Sequence, residues 1–144
     1  MRIFVDTSAF YALADIRDQH HEKAKAYYLN NYRRGRFWTS EYVFVETWSL
    51  IHHKLGKAAV RKYWETMRGN VVSLELVADA DVERAWEIFT IYEDQDFSLV
   101  DCTSFAMLER LGINDVFAFD IHFNVFRSNT GGAFQVYPTI LGKA

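Results

Sequence analysis

Two short apolar runs end in a bare aspartate: Ile3-Phe4-Val5-Asp6 near the start, and Phe117-Ala118-Phe119-Asp120 near the end. Branched and aromatic residues in such runs favour buried strands. A carboxylate at the end of a buried strand is costly unless something uses it. Strand runs alternate with helical segments along the chain, which predicts an α/β fold with a largely parallel sheet. The carboxyl ends of parallel strands share one rim, where ligands gather near a topological switch point. Asp6 and Asp120 are therefore expected on the same rim.

Further strand runs are Arg36–Thr39, Val71–Leu76 and Phe134–Val136, beside Arg2–Val5 and Asp115–Phe119. Helical spacing covers Thr7–Ala14, His20–Arg34, Ser40 to about Lys54, Lys57–Arg68, Asp79–Tyr92 and Leu99–Leu111. Gly35, Gly56, Gly69 and Gly112 stand where these helices should stop. In 79–92, Val82, Ala85, Trp86 and Phe89 face one way, and Asp79 and Asp81 suit a positive helix start.

The 144 residues, half of them apolar, suit a single domain over 1–144 with a real core. The one proline, Pro138, marks no internal linker. The one cysteine, Cys102, excludes an internal disulfide and reads as a small buried apolar residue. The apolar run before Asp6 is too short for a signal peptide, and no run approaches the ~18 residues of a spanning helix. A soluble cytoplasmic protein with no membrane partner is expected.

The net charge of −3 argues against a generally basic nucleic-acid binder, but its distribution is uneven. Residues 20–70 hold ten Lys/Arg against four Asp/Glu, and residues 71–130 hold three against twelve. That pattern suits either a polyanion held beside acid-bound metal or plain solvated helix faces.

Two more acids resist a bland reading. Glu46 lies within Glu41-Tyr42-Val43-Phe44-Val45-Glu46-Thr47-Trp48, where most helical neighbours are apolar. It should face the core or a cleft, paired with a cation or shifted in pKa. Glu41 is its nearby competitor, but five residues is about 500° of helix, so the two cannot share a face. Asp101 sits in the first turn of a core-facing helix, where the dipole favours negative charge. Each acid also has an ordinary role: a helix cap for Asp6 and Asp120, helix-start electrostatics for Asp101, an ion pair for Glu46. Two carboxylates ~4 Å apart repel by about 4 kcal/mol at an effective dielectric near 20. A pocket holding several of them needs a cation, and an all-oxygen site prefers Mg²⁺ or Mn²⁺.

The segments IFVDTSAFYAL, the helical acid Glu46, SLVDCTSFAMLERLGI, and VFAFDIHF followed by GAFQVYP together resemble a PIN-domain nuclease. They are most similar to the VapC-type toxins of toxin–antitoxin pairs. The resemblance runs from Ile3 to Pro138 and is most specific in the third and fourth segments. It implies a PIN-like three-layer α/β/α fold. It also implies a catalytic, metal-binding set of Asp6, Glu46, Asp101 and Asp120 that holds Mg²⁺ or Mn²⁺ and hydrolyses RNA. Many members of that group dimerise and are inhibited by a small antitoxin filling the active-site groove, so an antitoxin and a homodimer are expected. A PIN-fold nuclease of RNA processing and a non-catalytic binding module remain open beside this reading. A phosphatase with an aspartyl nucleophile is set aside, because its second acid would fall at Ser8.

Several neighbours have expected supporting roles. Thr7 or Ser8 should hydrogen-bond Asp6 or a metal-bound water, or cap the helix. Ser98 should cap the helix of Asp101, with a supporting role at the site. His122 could contact phosphate or orient Asp120, though a packed or exposed histidine is the commoner case. His20-His21 and His52-His53 do not have the spacing of a zinc site. Asp94 and Asp96 read as a solvated loop. Arg33, Arg34 and Arg36, or Lys54, Lys57, Arg61 and Lys62, could track RNA phosphates, with Tyr32 and Trp38 either stacking on bases or, the commoner case for aromatics, packed in core or interface.

Overall fold

The structure is a computed structural model and describes residues 2–34 and 36–139. Five strands form one all-parallel sheet: β1 (Ile3–Val5), β2 (Phe37–Ser40), β3 (Val72–Glu75), β4 (Asp115–Phe117) and β5 (Gln135–Tyr137). Their order is β3-β2-β1-β4-β5. The chain therefore winds one way from β1 to β3, then crosses back to β4 and β5. The switch point lies between β1 and β4, which pair Ile3 with Asp115 and Val5 with Phe117. Ligands of open parallel sheets collect at this crevice.

Seven helices flank the sheet: α1 (Thr7–Ala14), α2 (His21–Asn31), α3 (Glu41–Leu55), α4 (Lys57–Arg68), α5 (Asp79–Ile91), α6 (Leu99–Leu111) and α7 (His122–Val125). Local chemistry sets their ends. Ser40 caps α3 by accepting from the Val43 amide at 3.0 Å. Gly56 at φ 88° separates α3 from α4, and Gly112 at φ 67° ends α6, both in backbone space that favours glycine. Ser98 and Asp101 form a reciprocal capping box at the start of α6. Gly35 lies outside the described residues; before it, the predicted helix ends as a 3-10 turn at Tyr32–Arg34.

The core is a continuous apolar cluster rich in Phe, centred on Phe4, Trp38, Phe105, Phe117 and Phe123. Phe105 stacks on Phe126 at 4.7 Å, and Phe4 meets Trp38 edge-on at 4.9 Å. Such pairs add to simple area burial.

Val82, Trp86 and Phe89 share one face of α5, as the spacing predicts, and that face is exposed, while Ala85 departs from them and is buried with Asp81 and Ile88. The cause is Asp81, which accepts from the Ala78 amide at 2.8 Å and pairs with Arg110 of α6 at 2.8 Å. That pairing holds the acid side of α5 against α6. The core reading of the aromatics holds for Trp38, which is only 1% exposed and closed to any base. Tyr32 stacks on Tyr28 at 5.3 Å, just before β2 and so at the amino-terminal rim of the sheet. Arg33, Arg34 and Arg36 share that rim by their place in the chain, opposite the carboxyl ends of the strands. No described helix is long and apolar enough to cross a membrane.

Candidate active site

The acids gather where the topology predicts. Asp6 directly follows β1, and its amide donates to the Phe117 carbonyl of β4 at 3.1 Å. This bond holds the two strand ends together. The Asp6 carboxylate caps α1, accepting from the Ser8 amide at 3.1 Å and the Ser8 hydroxyl at 2.7 Å. The same hydroxyl accepts from the Phe119 amide at 2.9 Å. Ser8 thus ties the exit of β4 to Asp6, a link between residues far apart in sequence.

Asp120 lies three residues past β4 and accepts from the His122 amide at 2.9 Å. Asp101, in the first turn of α6, accepts from the Ser98 amide at 3.0 Å. The His122 Nδ1 stands 3.1 Å from Asp101 and 3.3 Å from Asp120. One ligand atom from each of Asp101, Asp120 and His122 lies within 4.8 Å of the others. Phe97 packs edge-on against the His122 ring at 5.1 Å and fixes its plane. His122 is therefore between the two acids rather than merely packed.

Glu46 projects from α3 toward the same pocket. The Thr7 hydroxyl hydrogen-bonds its carboxylate. Thr7 in turn accepts from the buried Thr47 hydroxyl at 3.0 Å. The competitor Glu41 is occupied elsewhere, accepting from the Val77 amide at 2.7 Å. Sequence separates these two acids by helical face, and the structure gives each a different partner.

The electrostatics of the pocket are unfavourable without a cation. Burial above all, with the charges of Asp101 and Asp120, pushes Asp6 up from 3.8 to about 7, against the opposing Ser8 hydrogen bonds. Burial first, then the same two neighbours, raises Glu46. Burial and Asp120 raise Asp101, partly offset by Ser98 and His122. Among the described residues, no Lys or Arg forms an ion pair with any of the four acids. Buried acids ordinarily have such a partner, and the ion pair considered for Glu46 is absent there. Carboxylates gathered with no Lys or Arg counter-charge fit a hard divalent cation, with Asp101, Asp120 and His122 clustered most closely and Asp6 and Glu46 outside that cluster.

The bland readings hold for the rest. Asp94 and Asp96 are exposed in the loop before α6, and Cys102 is buried, its thiol pushed up to about 11 chiefly by burial. His21 is engaged by the Ala12 carbonyl at 2.8 Å. Thr47 escaped the sequence reading, because a threonine in the body of a helix carries no signal until its partner is known.

An all-parallel sheet in this order, with acids at the switch point between β1 and β4, defines an α/β nuclease-like class. The chain belongs to the PIN-domain family, whose model matches residues 3–128. It is 34% identical over 122 residues to the 23S rRNA-specific endonuclease VapC20 of Mycobacterium tuberculosis, covering 85% of this chain and 92% of that one. It is 26% identical over 137 residues to ribonuclease VapC26 of the same organism, covering 94% and 100%. The crystal structure of VapC20, described as a sarcin–ricin loop cleaving toxin, superposes with a TM-score of 0.79 at 33% identity, over 85% of this chain and 93% of that one. A toxin–antitoxin complex from Klebsiella pneumoniae shares the fold alone, with a TM-score of 0.57 at 12% identity, over 83% and 87%.

Proposed function

We propose that this chain is a divalent-metal-dependent endoribonuclease acting as the toxin of a VapBC-type pair, with Asp6, Glu46, Asp101 and Asp120 holding Mg²⁺ or Mn²⁺. The observation that carries the reading is the gathering of carboxylates, two of them buried, at the switch point with no Lys or Arg partner. A divalent cation bound there supplies an activated water at neutral pH and neutralises charge on the phosphate. The chain's own residues do the positioning. Ser8 aims Asp6, Thr7 holds Glu46, Ser98 orients Asp101, and His122 spaces Asp101 from Asp120.

The 23S rRNA and sarcin–ricin loop specificity of VapC20 makes a ribosomal RNA loop the first substrate to test. The test is incubation of ribosomes and a pool of structured RNAs with the protein, in Mn²⁺ or chelator, with the new ends mapped by sequencing. Metal-dependent cuts at defined loops are expected, and intact RNA under both conditions would contradict the reading. A small antitoxin that fills the acid-lined groove belongs to the proposal, as does a cytoplasmic site of action. A homodimer belongs to it as well. Trp86 and Phe89, stacked at 5.9 Å on the exposed side of α5, supply apolar surface of the kind that protein partners cover. Light scattering at micromolar concentration checks the dimer.

A further inference from the structure

Tyr32 and Trp38 cannot receive a base at the acid-bearing rim, yet cleavage of a looped RNA requires splayed bases to rest somewhere nearby. His20 is the aromatic group in position. It stands just before α2 without a side-chain capping bond, and its ring lies flat on Phe119, centroids 4.5 Å apart and planes 9° from parallel. Phe119 immediately precedes Asp120, and its amide is bonded to Ser8, which holds Asp6. The stack is thereby keyed to two of the four acids. Phe119 is 8% exposed, so His20 forms the outer layer. His20 is partly buried, and Phe119 is its one ring partner among the described residues. Neither of its ring nitrogens is hydrogen-bonded there, in contrast to His21 on Ala12 and His122 on the acids. The His20 amide donates to Asp18 at 2.9 Å, which fixes the backbone under the ring. The result is a flat aromatic surface, backed on one face, with no role in holding the fold together beyond that contact.

We propose that the His20–Phe119 stack is a nucleobase platform, on which a base flanking the scissile phosphate rests while the acids act on the backbone. The inference rests on the ribonuclease reading for its substrate. Stacking is tolerant of base identity because every base has a π-face, so the platform would set which loop geometries bind more than which letter is cut.

The test uses RNA hairpins carrying 2-aminopurine singly at each loop position, bound to the full chain bearing Asp101→Asn to prevent cutting. Fluorescence at one loop position should be quenched with His20 or His20→Tyr, and released with His20→Ala or His20→Gln. In cleavage by the otherwise wild-type chain, His20→Ala and His20→Gln should raise KM about tenfold, the scale of one stacked base. His20→Tyr should restore KM, and kcat should stay within about twofold throughout. Equal quenching with alanine, quenching at no position, or rescue by Gln but not Tyr would overturn the platform. The last result would instead indicate a hydrogen bond to phosphate. Quenching at one position, together with no cleavage by the chain that keeps Asp101, would overturn the nuclease reading and leave the platform standing.

Discussion

At the scale of the residue, Asp6 concentrates the argument. Its pKa is raised from 3.8 to about 7, so without metal the folded state resists ionisation that the unfolded state accepts. Below the unfolded value both states hold the proton, and the group contributes nothing. As pH rises from about 4 to about 7, the metal-free protein should lose stability by up to about 1.4 kcal/mol per pH unit from this group. Asp6→Asn keeps an oxygen for Ser8 but removes the charge. Urea unfolding in chelator from pH 4 to pH 8 should show a flatter profile for this variant, and identical profiles would contradict the account. His122→Ala should weaken metal binding or activity about ten- to hundredfold, as loss of an orienting partner does. Titration calorimetry with Mn²⁺ checks this, and unchanged affinity would make the histidine a bystander. Asp6 and Asp120 were legible in the sequence because each ends a strand run. His122 was legible beside Asp120, but its contact with Asp101 and the Thr47–Thr7 bond were not, since those partners are 21 and 40 residues away and only the fold brings them together.

At the scale of the element, one hydroxyl joins β1, α1 and the exit of β4. Ser8→Ala would leave the buried Phe119 amide and the Asp6 carboxylate each one partner short. A loss of about 1–3 kcal/mol is expected, larger than the roughly 1 kcal/mol for removing the α6 cap with Ser98→Ala. Chemical denaturation of both variants gives the order, and a milder effect for Ser8→Ala would show that the strand ends do not depend on it. Helix boundaries were legible where glycine and capping residues punctuate the chain, as at Gly56, Ser98 and Gly112. The inward face of α5 was not. Apolar periodicity pointed to Val82, Trp86 and Phe89, while the Asp81–Arg110 pair turned the helix the other way. A buried acid paired with a partly exposed Arg110 sits on the inward side, and nothing in 79–92 names Arg110 as its partner.

At the scale of the whole molecule, the sheet order brings acids from β1, α3, α6 and the exit of β4 to one crevice, while the Arg33–Arg34 cluster falls to the far rim. A divalent cation in that crevice would reconcile its negative charge with a phosphate. A ligand bound only by the native state stabilises it, so millimolar Mn²⁺ should raise the melting temperature of the wild type and raise it less for Asp101→Asn. The most direct measurement is the rate of RNA cleavage against Mn²⁺ concentration for wild type and for Asp6→Asn and Asp101→Asn, each shown to be folded. Saturable, metal-dependent cutting by the wild type, with both variants reduced by at least about a hundredfold, is the expected result. Cutting that persists in chelator, or either variant matching the wild-type rate, would contradict the claim that these carboxylates hold the catalytic metal.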